Sequence, residues 1–185
     1  TATYEKGDTS LKSEKAINIS AGVDLYNTAK TVQLDFLFYL NSINNFIYQQ
    51  PRPDNPVLTI AGAFPLIEYR QTNALLTGFD AAASIKPTAS LEWQSRLSVL
   101  YARNRSANDW LILMPANRIN NELTYSFKDG KKISESYVTA GFLYVFKQKN
   151  IPGEINGKQD YKAPPAAYGL LNINAATTIT AGKTK

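Results

Sequence analysis

The 185-residue chain contains neither cysteine nor histidine. The first absence removes disulfide scaffolds, thiolate metal sites and cysteine nucleophiles. The second removes a Ser-His-Asp triad and imidazole ligation, so neither a metal nor a cofactor is expected to be held by this chain. No run of about 18 apolar residues occurs, which leaves no transmembrane helix. Charge of either sign is modest, with 20 Lys plus Arg against 15 Asp plus Glu for a net +5. The basic residues are dispersed, and zinc-finger spacing, a basic helix and an aromatic RNA-binding signature are all missing, so nucleic acid is not an expected partner. With 44% hydrophobic and 19% charged residues, the chain is suited to fold and is not a disordered polyanion.

What is present is an apolar period of two. In EKAINISAGVDLYN, Ile17, Ile19, Ala21, Val23 and Leu25 fall on one face and Asn18, Ser20, Gly22 and Asp24 on the other. After Asn27-Thr28-Ala29-Lys30 the chain returns through TVQLDFLFYL, which makes a hairpin. Phe79, Ala81, Ala83 and Ile85 repeat the alternation up to a turn at Lys86-Pro87-Thr88-Ala89, and Leu91, Trp93, Leu97, Val99 and Tyr101 bring it back. A fifth strand around 119–127 ends at Asp129-Gly130, a hairpin turn signal. The sixth, SYVTAGFLYVFK, is apolar on both faces, so its orientation is ambiguous. A seventh, YGLLNINAATTI, opposes Leu171, Ile173, Ala175 and Ile179 to Asn172 and Asn174. The predicted class is all-β: an antiparallel meander of about seven long strands.

The connections alternate. Short ones are expected near 28–30, 87–90 and 128–132, and long ones near 50–63, 103–116 and 147–167. In a meander every second connection falls at the same end, so one rim carries tight turns and the other long loops, as in an outer-membrane β-barrel. Several strands also exceed the roughly 9–11 residues that a tilted strand needs to cross a bilayer, against about 5–6 in soluble sheets. Tyr26, Trp93, Tyr101, Tyr125 and Phe127 are candidates for interfacial girdles.

At this point the chain resembles the C-terminal barrel region of TonB-dependent outer-membrane receptors, which import iron-siderophore complexes, cobalamin and some glycans. Tyr69 followed by NALLTGFDAAASIKPTASLEW is similar to a family hairpin, with Asp80 where Glu is common. MPANRINNELTYSF is similar to a loop that ends in Pro-x-x-Arg before a strand, here Pro115 and Arg118. SYVTAGFLYVFKQKNIP and YGLLNINAATTI resemble the next strand, its outer loop and the strand after it. The resemblance implies a bacterial outer-membrane location and residues 1–185 as a partial barrel domain. The plug, a TonB-binding segment and the last strands are expected to lie outside it. Large plugged transporters have about 22 strands, and seven are counted here. The start at TATYEKGDTS, without Met, and the end at TAGKTK, read as the inside of a turn, lead to the expectation of an internal piece.

Carboxylates are the acid-base groups left for catalysis. Asp80, Glu92 and Glu122 lie on polar strand faces, where a suitably spaced pair would hydrolyse a glycoside. The favoured reading makes them lumen-facing polar residues paired with Arg96 or water, and the chain is not expected to be an enzyme. In the loop segment ARNRSANDW, Arg103, Arg105, Asp109 and Trp110 are the candidate substrate contacts, since Arg with Trp suits a catecholate, carboxylate or sugar. Contact with lipopolysaccharide phosphates or plain solvation is the competing reading for the same residues. The expected function is binding and TonB-dependent uptake of a scarce solute such as an iron-siderophore complex or another metal chelate. The expected partners are outer-membrane lipid, lipopolysaccharide and, through the plug, the TonB complex. A soluble or surface-exposed β-sheet binding module, its apolar face forming an interior core, is the alternative, with an outer-membrane enzyme more distant.

Overall fold

The computed structural model describes residues 3–153 and 164–180. The strands are β1 (Tyr4–Lys6), β2 (Lys15–Tyr26), β3 (Val32–Thr59), β4 (Gly62–Thr88), β5 (Leu91–Asn104), β6 (Asp109–Trp110), β7 (Arg118–Ser126), β8 (Ile133–Val145) and β9 (Tyr168–Ile179). Seven of them form an open antiparallel meander in the order β2-β3-β4-β5-β7-β8-β9, with β2 and β9 at the edges. Local chemistry sets the short turns. Asn27 Oδ1 accepts the amides of Thr31 (2.8 Å) and Val32 (3.1 Å), and Lys30 takes the left-handed conformation at φ 51°. At the third turn, Asp129 Oδ1 accepts the Glu135 amide at 2.8 Å, and the Gly130 amide donates to the Ile133 carbonyl at 2.7 Å.

Register turns the period-two pattern into two continuous faces, because residues directly opposite across a ladder point the same way. Val23, Phe36, Ala81, Leu97, Ile119 and Tyr144 are successive partners across six strands, and so are Asp24, Asp35, Ala82, Arg96, Asn120 and Leu143. Across the seven strands of the meander, no paired position on the first, apolar face is Asp or Glu. The polar face carries Asp24, Asp35, Asp80, Glu92 and Glu122. Trp93, Leu123, Phe142, Leu171 and Ile173 stand exposed on the apolar face. Among the described residues the buried apolar side chains are Ala74, Ala102, Leu111 and Ile112, so no dry core covers that face. A soluble module of this size would need one.

Two sequence expectations change. The expected long loop at 50–63 is instead strand: β3 runs 28 residues and β4 27, turning at Ile60-Ala61. The stretch PRPDNP reads as loop because Pro lacks a ladder donor. The ladder accommodates it with a register break between Arg52 and Val57, the stretch that holds Pro56. The second change is Tyr26, which pairs with Gln33 and so lies on the polar face, with Lys30 Nζ 5.6 Å from its ring centroid. The aromatics that remain in line with an interfacial girdle are Trp93, Tyr125 and Phe127 toward the short turns and Tyr101 toward the long connections. Trp93 and Tyr101 stand eight positions apart in β5, about 27 Å along the strand at about 3.4 Å per residue. At a 35–45° tilt that is roughly 20 Å of height, close to the apolar band of about 25 Å in such barrels.

Past the apolar band, β3 and β4 bend at a bulge where the register shifts between Ile43 and Phe46 and Asn45 has φ 59°. The N-terminal segment satisfies the backbone groups freed there. Glu14 Oε1 accepts the Ile47 amide at 2.6 Å, Asn45 Nδ2 donates to the Ser13 carbonyl, and Gln71 Nε2 donates to the carbonyls of Asn45 and Lys12. Beyond it, on the projecting part, β1 adds a parallel strand to Leu66–Glu68. Beyond the bulge the hairpin projects roughly 50 Å at about 3.3 Å per residue.

Candidate functional site

At the end of the sheet opposite the short turns, the connection after β5 first makes a two-residue hairpin. Arg103 pairs with Trp110 and Asn104 with Asp109, which splits the four candidate contacts between the faces. Arg103 and Trp110 continue the apolar side: the Arg103 guanidinium carbon lies 4.5 Å from the Trp110 ring centroid, and the rings of Trp110 and Tyr101 are 6.4 Å apart. Arg103 Nη2 donates to Asn108 Oδ1 at 3.2 Å. Asp109 falls on the polar side, where Oδ2 accepts the Gly153 amide at 2.9 Å and Oδ1 the Trp110 amide at 2.7 Å. Arg105 is exposed in the turn, its backbone amide bonded to the Asn73 carbonyl at 2.7 Å. The structure thus brings Arg103 and Trp110 together on the apolar side, sets Asp109 on the polar side as a tie to the next long connection, and leaves Arg105 apart.

From Leu111 the chain folds over the polar side. The Leu111 amide donates to the Ala102 carbonyl at 2.9 Å, and its side chain packs with Ala74 and Ala102, flanked by Phe46, Leu76 and Met114. This inward fold encloses an open cavity of about 750 Å³ whose lining includes Leu111, Met114, Arg118, Leu143, Val145 and Tyr168. That volume is in the range of small-molecule sites. Leu143 and Val145 explain why the sixth strand reads as apolar on both faces. Its outer half lines this cavity on one side and stacks Phe142, Tyr144 and Phe146 on the other. The double-faced run was thus the signal for the cavity, although composition alone did not locate it. The greater part of the connection between β8 and β9, residues 154–163, lies outside the described residues, as does 181–185 of the closing TAGKTK.

Arg118 joins two spaces. It lines the apolar cavity and also a second hollow of about 690 Å³ on the polar face, which is bordered by Asp24, Asp35, Asp80, Arg96 and Ser98. The other acid candidates are engaged. Glu92 accepts Ser84 Oγ and Gln94 Nε2, both at 2.8 Å, and pairs with Lys86 Nζ at 3.8 Å. Glu122 accepts Asn120 Nδ2 at 3.0 Å, and Arg96 Nη2 donates to Gln94 Oε1 at 3.0 Å. Of the pairing with Arg96 or water expected for Asp80, Glu92 and Glu122, no ion pair to Arg96 forms among the described residues; the cation beside Glu92 is Lys86, at the turn. Among the described residues no group of His, Cys, Asp and Glu is arranged to hold a metal ion.

These features match known proteins. The family model "TonB dependent receptor-like, beta-barrel" matches residues 1–183. Among curated proteins none matches the chain. Among solved structures, the copper transporter OprC superposes with a TM-score of 0.73 at 19% identity, over 95% of this chain and 26% of its own. The siderophore receptor PirA from Acinetobacter baumannii gives 0.61 at 16% identity, over 92% of this chain and 26% of its own. The ferric enterobactin receptor PfeA from Pseudomonas aeruginosa, in complex with enterobactin, gives 0.62 at 14%, over 92% of this chain and 25% of its own. The chain therefore spans about a quarter of these proteins, and at such identities the likeness is one of fold. With residues 1–183 matched by the family model and an open meander having one apolar and one polar face, this chain belongs to the TonB-dependent receptor-like β-barrel family of the bacterial outer membrane.

Proposed function

We propose that this chain supplies part of the wall and outer mouth of a receptor that captures a scarce solute, such as an iron-siderophore complex or another metal chelate, and passes it through the barrel. The apolar face meets lipid and the polar face lines the lumen. The work is binding and transfer, not catalysis, and the energy comes from the TonB complex acting through a plug domain in the rest of the parent protein. Residues 1–185 are a partial barrel domain, completed by strands elsewhere in that protein.

The observation that carries this reading is the position of Arg118 between the apolar cavity and the polar hollow. A ligand with an apolar or aromatic body and an anionic group fits the first space. Arg118 then hands the charge toward Arg96, with Asp24, Asp35 and Asp80 keeping the wall hydrated. Asp109 borders a cleft with Tyr48, Gln50 and Asn104 on the same side and joins the solute surface, together with exposed Arg105. The test removes residues 103–116 from the full-length receptor and, separately, changes Arg118→Ala. Uptake of radio-iron from a panel of ferric siderophores should fall at least tenfold while the barrel still assembles, judged by heat-modifiable mobility. Undiminished uptake of every chelate would overturn the assignment.

A further inference from the structure

Leu113 stands in a backbone conformation that its side chain disfavours. Among the described residues, five other than glycine have a positive φ: Lys30, Asn45, Asn108, Leu113 and Glu135. All but Leu113 have a local reason. Lys30 closes the first short turn, and Glu135 lies at the register break between Ser134 and Tyr137. Asn45 occupies the bulge of β3 and Asn108 the turn before β6, and asparagine tolerates the left-handed region better than most side chains. Leu113, at φ 59°, is the apolar member of the set. Burial does not account for it, since Leu111 and Ile112 are 2% and 7% exposed and Leu113 is 68% exposed. The backbone is instead held from both sides. Before Leu113, the Leu111 amide donates to the Ala102 carbonyl at 2.9 Å. After it, Gln148 Nε2 donates to the carbonyls of Met114 and Pro115 at 3.3 and 3.1 Å, while Gln148 Oε1 accepts the Asn150 amide at 3.0 Å. Strain of this kind persists where the surroundings over-determine the backbone, and it concentrates at ligand contacts. What it presents here is an apolar side chain on the wall of the 750 Å³ cavity, which Met114, Leu143, Val145 and Tyr168 also line.

We infer that Leu113 determines the specificity of this cavity, selecting solutes by an aromatic or apolar surface, and that Gln148 is the positioning residue that keeps it in place. The inference rests on the reading of the cavity as a solute site. Arg118 recognises negative charge, which chelates of many kinds share; Leu113 separates those with an aromatic body from those that are hydrophilic throughout. Against a ring, its side chain removes apolar surface of both partners from water, and the strain is already present before binding. Against a hydrophilic chelate the same side chain gains nothing and displaces water from polar groups.

The test measures radio-iron uptake by cells carrying the full-length receptor, with iron supplied as a tris-catecholate or as a citrate complex. The wild type should reach half-saturation at a lower concentration of the catecholate. Leu113→Asn suits the backbone but loses the apolar side chain. It should raise the half-saturating concentration for the catecholate about tenfold and leave that for citrate as it was. Amide exchange across 112–116 should be unchanged or slower in that variant, which shows that the segment is still folded. Leu113→Met should recover most of the loss. Gln148→Met, of similar length but without the donor, should speed amide exchange across 112–116 and raise the half-saturating concentration for the catecholate about threefold, with the maximal rate unchanged. Equal losses for both complexes in Leu113→Asn, no loss for either, or a wild type that favours citrate would overturn the inference and leave the solute site standing. A wild type that takes up neither complex would overturn the solute reading and this inference with it.

Discussion

The Asp109 carboxylate accepts the Gly153 amide across 44 residues of sequence, at 2.9 Å. The bond ties the hairpin after β5 to the connection after β8. Replacing Asp109 with Ala should free the Gly153 amide and cost about 1 kcal/mol locally. Amide exchange at Gly153 should then speed up about fivefold while exchange within β5 and β7 stays as it was. Equal speeding in the strands would mean that Asp109 supports the barrel as a whole.

Leu97 and its neighbour Ser98 provide a test of which face meets lipid. Leu97 partners Ala81 and Ile119 on the apolar side, and Ser98 partners Asp80 and Arg118 on the polar side. In the full receptor Leu97→Arg should cost about 2–4 kcal/mol in bilayer unfolding titrations if the site lies near the midplane. Ser98→Gln, at a hydrated wall, should stay within about 0.5 kcal/mol. A reversed order would exchange the two faces.

Gly78 lies beneath Tyr39, whose hydroxyl crosses it to donate to the Val99 carbonyl at 3.3 Å. A Cβ at position 78 would collide with both the Tyr39 phenol and the Val99 carbonyl. The phenol can swing aside, but the carbonyl belongs to the ladder. Gly78→Ala should therefore destabilise the barrel by about 1–3 kcal/mol, and adding Tyr39→Leu should restore only part of it. Full restoration would assign the whole clash to the phenol.

On the projecting hairpin, Glu68 accepts Arg70 Nη2 at 2.9 Å and Arg52 Nε at 3.0 Å. The Arg70 bond first, then the Arg52 bond, holds its carboxyl below the usual glutamate range. A carboxylate whose folded-state value is lowered contributes stability that is present above the unfolded value and lost as pH falls through the folded one. Protease resistance of the hairpin should therefore persist from neutral pH down to about 4.3, the ordinary glutamate value, and decline only in more acid solution. In Glu68→Gln this acid-dependent decline should vanish. The same decline in the variant would place the titrating group elsewhere.

The alternation of apolar and polar residues was enough to specify seven strands, their antiparallel order, the short turns and the two faces of every strand but the sixth, whose faces the register assigned. In a meander each of these follows from local periodicity and turn chemistry, as Val23 opposite Phe36 and the Asn27 turn illustrate. Sequence also marked ARNRSANDW as a rim segment, but not that Arg103 and Trp110 stand on one face and Asp109 on the other. That division depends on a two-residue ladder formed after the strand has left the apolar band. The 50–63 hairpin escaped for a related reason, since its prolines read as loop and only the ladder formed with the residues from Gly62 onward, with its break between Arg52 and Val57, reveals it as strand. The cavity is wholly tertiary. Leu111, Arg118, Val145 and Tyr168 come from four separate segments, and no local rule brings them together. What joins them is the inward fold of 111–116 over Ala74 and Ala102, driven by burial of Leu111.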